Sequence, residues 1–276
     1  MSESRKITRT FTSRITSDGA GVTLRRSIGM PGFSELDPFL LLDAFGSDDP
    51  DDYIAGFPDH PHRGFETVTY LIAGRVRHRD NTGAEGVLGP GGVQWMTAGR
   101  GIVHSEMPEQ EDGELLGFQL WVNLPGADKM CPPRYQNIEP ADIPEIVTDQ
   151  GARLRIIAGC AAGTDGPVNG ISVDPLYLDV KLSPNARHLQ DVAPDHTCFA
   201  YVFEGTAEIG GTPIDTHTLA VLEAGGLVEM SSADGGRLIL VAGSPIGEAV
   251  VRYGPFVMNT RREIEQAIHD YQNGEF

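Results

Sequence analysis

Four residues in two short stretches have the types and spacing for metal chemistry. His60 and His62 stand one residue apart in FPDHPHRGFETVTYLIAG, residues 57–74, and His104 and Glu106 repeat that spacing in GPGGVQWMTAGRGIVHSEMPE, residues 89–109. Alternate residues of a β-strand face the same way, so each pair would present two donors to one side. If both strands line one small barrel, three imidazoles and a carboxylate converge. That donor set suits Fe(II), Mn, Ni, Cu, Zn or Co, and in a six-coordinate ion it leaves open positions. A lone His-x-His is more often a turn or surface pair; two such pairs among strand-like segments weigh against that. Glu66, four residues after His62, is a competing carboxylate, whose other role would be to accept a hydrogen bond from a ligand imidazole. Of the other histidines, His78 sits in the charged run RVRHRD, and His188, His196, His217 and His269 have no partner at ligand spacing.

Such pairs need strands to aim them, and the chain supplies many. ETVTYLI, GFQLWVNL, RLRIIAG, LYLDVKL, CFAYVFEG, TLAVLEAG and RLILVAG are rich in branched and aromatic residues and bounded by Gly, Pro, Asp or Asn. With 34 Gly and 19 Pro scattered along 276 residues, the composition predicts an all-β fold of short strands and turns. Only the end reads as helix: REIEQAIHDYQ, residues 262–272, places Ile264, Ala267, Ile268 and Tyr271 on one stripe.

Two segments recur. YLIAG at 70–74 resembles YVFEG at 201–205, and LGPGGVQWMT at 88–97 resembles LEAGGLVEMS at 222–231. The order and spacing predict two copies of one β-domain, residues 1–140 and 141–276, joined near PADIPEIVTDQGA. Carried across by that spacing, His60 and His62 fall on Asp191 and Ala193, and His104 and Glu106 on Leu238 and Leu240. The second copy would then keep the scaffold without the metal ligands.

Charge narrows the function classes. Acidic residues number 39 against 21 basic ones, a net charge of −18, and no basic block interrupts them. Direct nucleic-acid contact is therefore disfavoured. Cys131, Cys160 and Cys198 are far apart with no Cys-x-x-Cys spacing, as expected of reduced structural residues. The start lacks the apolar core of a signal peptide and no stretch approaches a membrane span, so the expectation is a cytoplasmic protein without membrane association.

The strings HPHRGFETVTYLIAG, QWMTAGRGIVHSEMPE and GFQLWVNLP, with LDPFLLLDAFG at 36–46 and the ending GPFVMNTRREIEQAIHDYQNGEF, resemble the pirin family of the cupin superfamily across nearly the whole chain. The resemblance implies two cupin barrels, of the double-stranded β-helix or jelly-roll kind, followed by a C-terminal α-helix. It implies one metal site, in the N-terminal barrel, with ligands that stand here as His60, His62, His104 and Glu106. The wider superfamily often takes its carboxylate four residues after the second His, which would be Glu66; the pirin pattern uses the His-x-Glu pair. The activity implied is an Fe(II)-dependent dioxygenase acting on a flavonol such as quercetin or another small aromatic or enolic substrate with O2, Glu106 taking the substrate proton. A second implied role is a non-enzymatic metal- and redox-sensing protein that binds a protein partner. A third reading, in which the metal only pins strands together, sits poorly with a second copy that folds without the ligands.

Overall fold

In a computed structural model describing residues 4 to 276, β-strands dominate and one α-helix, Arg261–Gln272, ends the chain. Two compact units form: Ile15–Pro140 with Ile246–Phe276, and Ala141–Pro245 with the residues up to Arg14. This division by contacts differs at both ends from a cut into 1–140 and 141–276. The strand Ile7–Thr12 pairs with Thr218–Leu222 and Ile7 packs on the second unit's core, while the terminal hairpin and helix pack in the first unit. Edge pairing decides these placements, and edge pairing leaves no mark in local sequence.

In the first unit a seven-stranded sheet runs in the order Arg134–Ile138, Val93–Thr97, Phe65–Ala73, Leu115–Asn123, Phe39–Ser47, Val22–Ile28, Arg14–Asp18. A four-stranded sheet runs in the order Phe57–His62, Ile102–Pro108, Val76–Asp80, Glu85–Leu88. The second unit repeats the larger order with Ile7–Thr12, Thr218–Leu222, Thr197–Ile209, Gly236–Gly243, Leu176–Leu182, Ala152–Ala158, Glu145–Val147, and it pairs Ala186–Asp191 with Leu227–Ser232. Both units are thus the jelly-roll barrels expected.

Matching the two orders place by place tests the internal repeat. Phe65–Ala73 corresponds to Thr197–Ile209, so YLIAG and YVFEG lie on equivalent strands. The other match does not hold. LGPGGVQWMT runs into Val93–Thr97, whereas LEAGGLVEMS runs into Leu227–Ser232, whose counterpart is Ile102–Pro108. Leu238 and Leu240 belong to the central strand Gly236–Gly243 and do not replace His104 and Glu106. In the corresponding strand pair of the second unit His188 faces Met230. Gly-Gly turns recur throughout a fold of this kind, so a Gly-Gly match aligns turns without fixing which strand follows.

The barrel interiors differ in character. Leu178, Val180, Val228, Met230, Leu238 and Leu240 belong to one continuous buried apolar cluster in the second unit. The first unit buries Thr67, Thr69, His62, His104, Glu106 and Asn123. The terminal helix starts one residue before the predicted span, because Thr260 caps it and shares a capping box with Glu263, a contribution of about 1 kcal/mol. Its Ile264 and Ala267 are buried against Phe256 and Met258. All three cysteines are free thiols, and among the described residues no helix is long and apolar enough to cross a membrane.

Candidate metal centre

Phe57–His62 is the edge strand of the four-stranded sheet, hydrogen-bonded to Ile102–Pro108 alone. That position explains Pro58 and Pro61, which cannot donate to a second neighbour and at an edge need not. The register sets His60 opposite His104, and a bulge between His104 and Glu106 sets Glu106 opposite Phe57. The turn after His62 passes through Gly64, whose φ is 87°. A Cβ there would meet the Val257 carbonyl oxygen at 2.0 Å. Gly64 therefore lets the terminal hairpin close tightly behind the His62 strand.

The three imidazoles converge. One ring nitrogen from each of His60, His62 and His104 lies within 4.8 Å of the others, and ring centroids are 4.5–5.0 Å apart. His62 and His104 are buried, and neither nitrogen of either ring has a hydrogen-bond partner. Each such orphan carries a desolvation cost of about 1–3 kcal/mol, and an ion that took one nitrogen of each ring would relieve it there. Burial, reinforced by the neighbouring rings, holds His62 well below its ordinary value, and burial brings His104 down to about 4. Both rings are neutral at physiological pH and keep a lone pair to donate. His60 Nδ1 lies 2.8 Å from the Pro58 carbonyl oxygen. A carbonyl only accepts, so Nδ1 carries the proton and Nε2 is free for the cluster. The donor set fits a first-row divalent ion.

Glu106 follows on the same face of its strand. Thr69 donates to its Oε1 at 2.8 Å and Gln119 to its Oε2 at 2.7 Å. Trp121 donates its indole N–H to Gln119 Oε1 at 3.0 Å, which turns the Gln119 amide so that its NH2 meets the carboxylate. Burial raises the Glu106 carboxyl, while positive charge on His104 or His60, when they are protonated, and the two hydrogen bonds lower it, and the balance lies below its ordinary value. A buried carboxylate kept ionised beside neutral imidazoles suits a cation. Glu106 stands outside the 4.8 Å set itself, which among the described residues comprises the three histidines.

Glu66 lies elsewhere. The sequence placed it on the His62 face, but the strand breaks after His62 and a new one begins at Phe65. Within that new strand Glu66 faces away from Thr69, and its Oε1 accepts from Thr97 at 2.6 Å. His78 also departs from expectation. It is buried opposite Glu106, with Gln94 Nε2 on its Nδ1 and Tyr135 against its ring.

Family models describe the same chain. One for pirin matches residues 21–122 and one for the pirin C-terminal cupin domain matches residues 177–276. The chain belongs to the pirin family. A pirin-like protein of Caulobacter vibrioides is 50% identical over 95% of both chains, and human pirin is 45% identical over 99% of this chain and 94% of its own. A solved quercetin 2,3-dioxygenase of Acinetobacter baumannii superposes with a TM-score of 0.92 at 34% identity, over 99% of this chain and 98% of that one. Both barrels are accordingly cupin domains.

Beside the histidines of this pirin-family barrel lies a cavity of about 500 Å³, with His60, His62, Phe57, Trp121, Arg26 and Arg252 in its wall. Trp121 meets His62 edge-on at 5.2 Å and carries the Arg252 guanidinium over its ring at 4.7 Å. Arg26 pairs with Asp43 through two hydrogen bonds of 2.7 Å and with Asp18 through one of 2.6 Å. Thr69, Gln119, Trp121 and Arg252 were not singled out by sequence reading. The run GFQLWVN does offer one signal: an amide in mid-strand, two residues from a tryptophan on the same face.

Proposed function

We propose that this chain is a metal-dependent dioxygenase of the pirin type that acts with O2 on small aromatic or enolic compounds, flavonols such as quercetin among them. One observation carries the reading: three imidazole donors meet within 4.8 Å, two of the rings buried and without partners, and two of the three, His60 and His62, line a cavity of about 500 Å³. The likeness to a solved quercetin 2,3-dioxygenase supports the substrate class. In this reading His60, His62, His104 and Glu106 hold Fe(II), and the same donors accept Mn, Ni, Cu, Zn or Co. Such an ion, when bound, supplies Lewis acidity toward an ionising hydroxyl and redox activity toward O2.

The chain's own residues supply the rest. Glu106 takes the substrate hydroxyl's proton on a carboxylate oxygen, since each oxygen keeps a lone pair after accepting one hydrogen bond. Thr69 and Gln119 fix that carboxylate, which holds the acceptor in place without reorganisation at the moment of transfer. Phe57 and Trp121 offer apolar walls to a planar ring. The test is incorporation of label from 18O2 into products formed from quercetin by Fe(II)-loaded protein. Both oxygen atoms should appear in the organic products. Absence of label would leave the metal- and redox-sensing, partner-binding role in its place.

A further inference from the structure

Phe276 closes on the two strands that carry the metal ligands. After the helix Arg261–Gln272 the backbone turns through Gly274, at a φ of 71°, and the Glu275 N–H donates to the Asp270 carbonyl at 2.9 Å. That reversal carries Phe276 back to the end of the ladder between Phe57–His62 and Ile102–Pro108, where His62 faces Ile102.

Three contacts tie Phe276 to that end. Its ring lies under the Arg63 guanidinium, whose carbon is 4.3 Å from the ring centroid, and Arg63 directly follows His62. The same ring lies against Gly101, directly before Ile102. A Cβ there would come within 2.8 Å of the ring, and the Gly101 φ of 142° itself favours glycine. The Phe276 main-chain oxygen accepts from Asn81 Nδ2 at 2.8 Å. Asn81 in turn grips Val103, donating its N–H to the Val103 carbonyl at 2.9 Å and accepting from the Val103 N–H at 3.1 Å on Oδ1. Val103 directly precedes His104.

The Arg63 contact has an electrostatic cause. Arg63 is buried, its Nη1 donates to Asp270 at 2.7 Å, and its Nε has no acceptor. A buried cation needs compensation, and the negative face of an aromatic ring supplies part of it. Removing the ring admits water to the guanidinium and gives Arg63 other conformations. Peptide bonds are stiff, so a torsional change at Arg63 passes directly to His62. Gly101 and Asn81 stand in the same relation to the strand of His104.

We propose that Phe276 is a positioning residue of the metal centre: it holds the ends of both ligand strands, so that His62 and His104 meet at the separation an ion requires, and it sets metal affinity without touching the ion. This rests on reading the histidine cluster as a metal site.

The test uses the full chain, with Zn(II) affinity measured in competition with a chelating dye and Co(II) reporting ligand geometry through its visible absorption. Phe276→Ala should bind Zn(II) about 10 to 100-fold more weakly, the range for groups that orient metal ligands, and should change the Co(II) absorption. Phe276→Tyr keeps a ring under Arg63 and should return affinity to within about twofold of wild type, with the wild-type absorption. Binding is measured where circular dichroism shows the metal-free protein folded, so a merely structural role would leave both readouts unmoved. Should Phe276→Ala fail to fold, Phe276→Leu, which keeps apolar bulk without the ring, carries the same expectation. Affinity of the ringless variant within about twofold of wild type, an unchanged Co(II) absorption, or a Phe276→Tyr protein no better than the ringless one would each overturn the proposal. Wild-type protein that takes up no Zn(II) would overturn the metal-site reading and this inference with it; tight wild-type binding beside an unaltered variant would overturn this inference alone.

Discussion

Thr69 and Gln119 stand directly opposite each other on neighbouring strands, and together they occupy both oxygens of Glu106. The larger sheet thus holds a carboxylate that belongs to the smaller one. Replacing Thr69 with Val keeps the shape and removes one of those bonds, so metal affinity should fall by roughly 10 to 100-fold. Glu106→Ala should cost more, because the charge goes as well. Glu66→Ala, on a residue bound to Thr97, should cost less than either. Metal content after dialysis ranks the three; a stripped Glu66→Ala protein beside a metal-replete Glu106→Ala protein would reverse the assignment.

Metal stoichiometry should be about one first-row ion per chain. His62→Ala or His104→Ala should abolish retention, since each removes a buried donor that has no other partner. His188→Ala should retain the metal, because His188 faces Met230 across its strand pair and has Gln190, not a second imidazole, beside it. Elemental analysis of protein loaded with Fe(II) and desalted decides; two ions per chain would mean that the second barrel also binds.

Lys129 is buried and donates to the Gly64 carbonyl, the Asn123 side chain and the Val257 carbonyl at 2.7, 2.6 and 3.1 Å. It ties the turn after His62 to the terminal hairpin. Lys129→Met should lower stability by about 3 kcal/mol, because buried acceptors lose their donor. Urea unfolding of metal-free protein measures this, and a change under about 0.5 kcal/mol would show that those acceptors find other donors.

Burial lowers His188 from its ordinary 6.5, with Gln190 opposing the shift. Below pH 6.5 the unfolded chain takes up a proton at this ring that the folded chain refuses. The stability term is therefore whole above that pH, declines as pH falls toward the lower folded value, and levels off beneath it. His188→Leu should show a smaller loss of Tm than wild type between about pH 7.5 and about pH 5. An equal loss in both would place the acid sensitivity elsewhere.

Much of this was legible in the sequence because side-chain period and strand chemistry are local. Each predicted strand is a strand, and the His-x-His pair aims both rings inward because alternation holds along an unbroken strand. The same rule failed for Glu66, where the break at Arg63 and Gly64 resets the alternation. The repeat was read correctly at YLIAG and wrongly at the Gly-Gly turn, since turn residues fix local backbone and not strand order. Thr69, Gln119 and Arg252 were hidden for another reason. They reach the site from strands distant in sequence, and nothing local to a threonine, glutamine or arginine says what lies across a barrel. His78 looked solvated among arginines because alternation was not applied there: Arg77 and Arg79 face out, and His78 faces in.

Oxygen uptake by Fe(II)-loaded protein on addition of quercetin decides whether the metal centre is catalytic, with His104→Ala protein at the same total iron as the reference. Sustained consumption is expected of the wild type, and none above free Fe(II) of the variant. Equal rates in the two proteins, or no uptake by metal-replete wild type with quercetin or other enolic compounds, would contradict it.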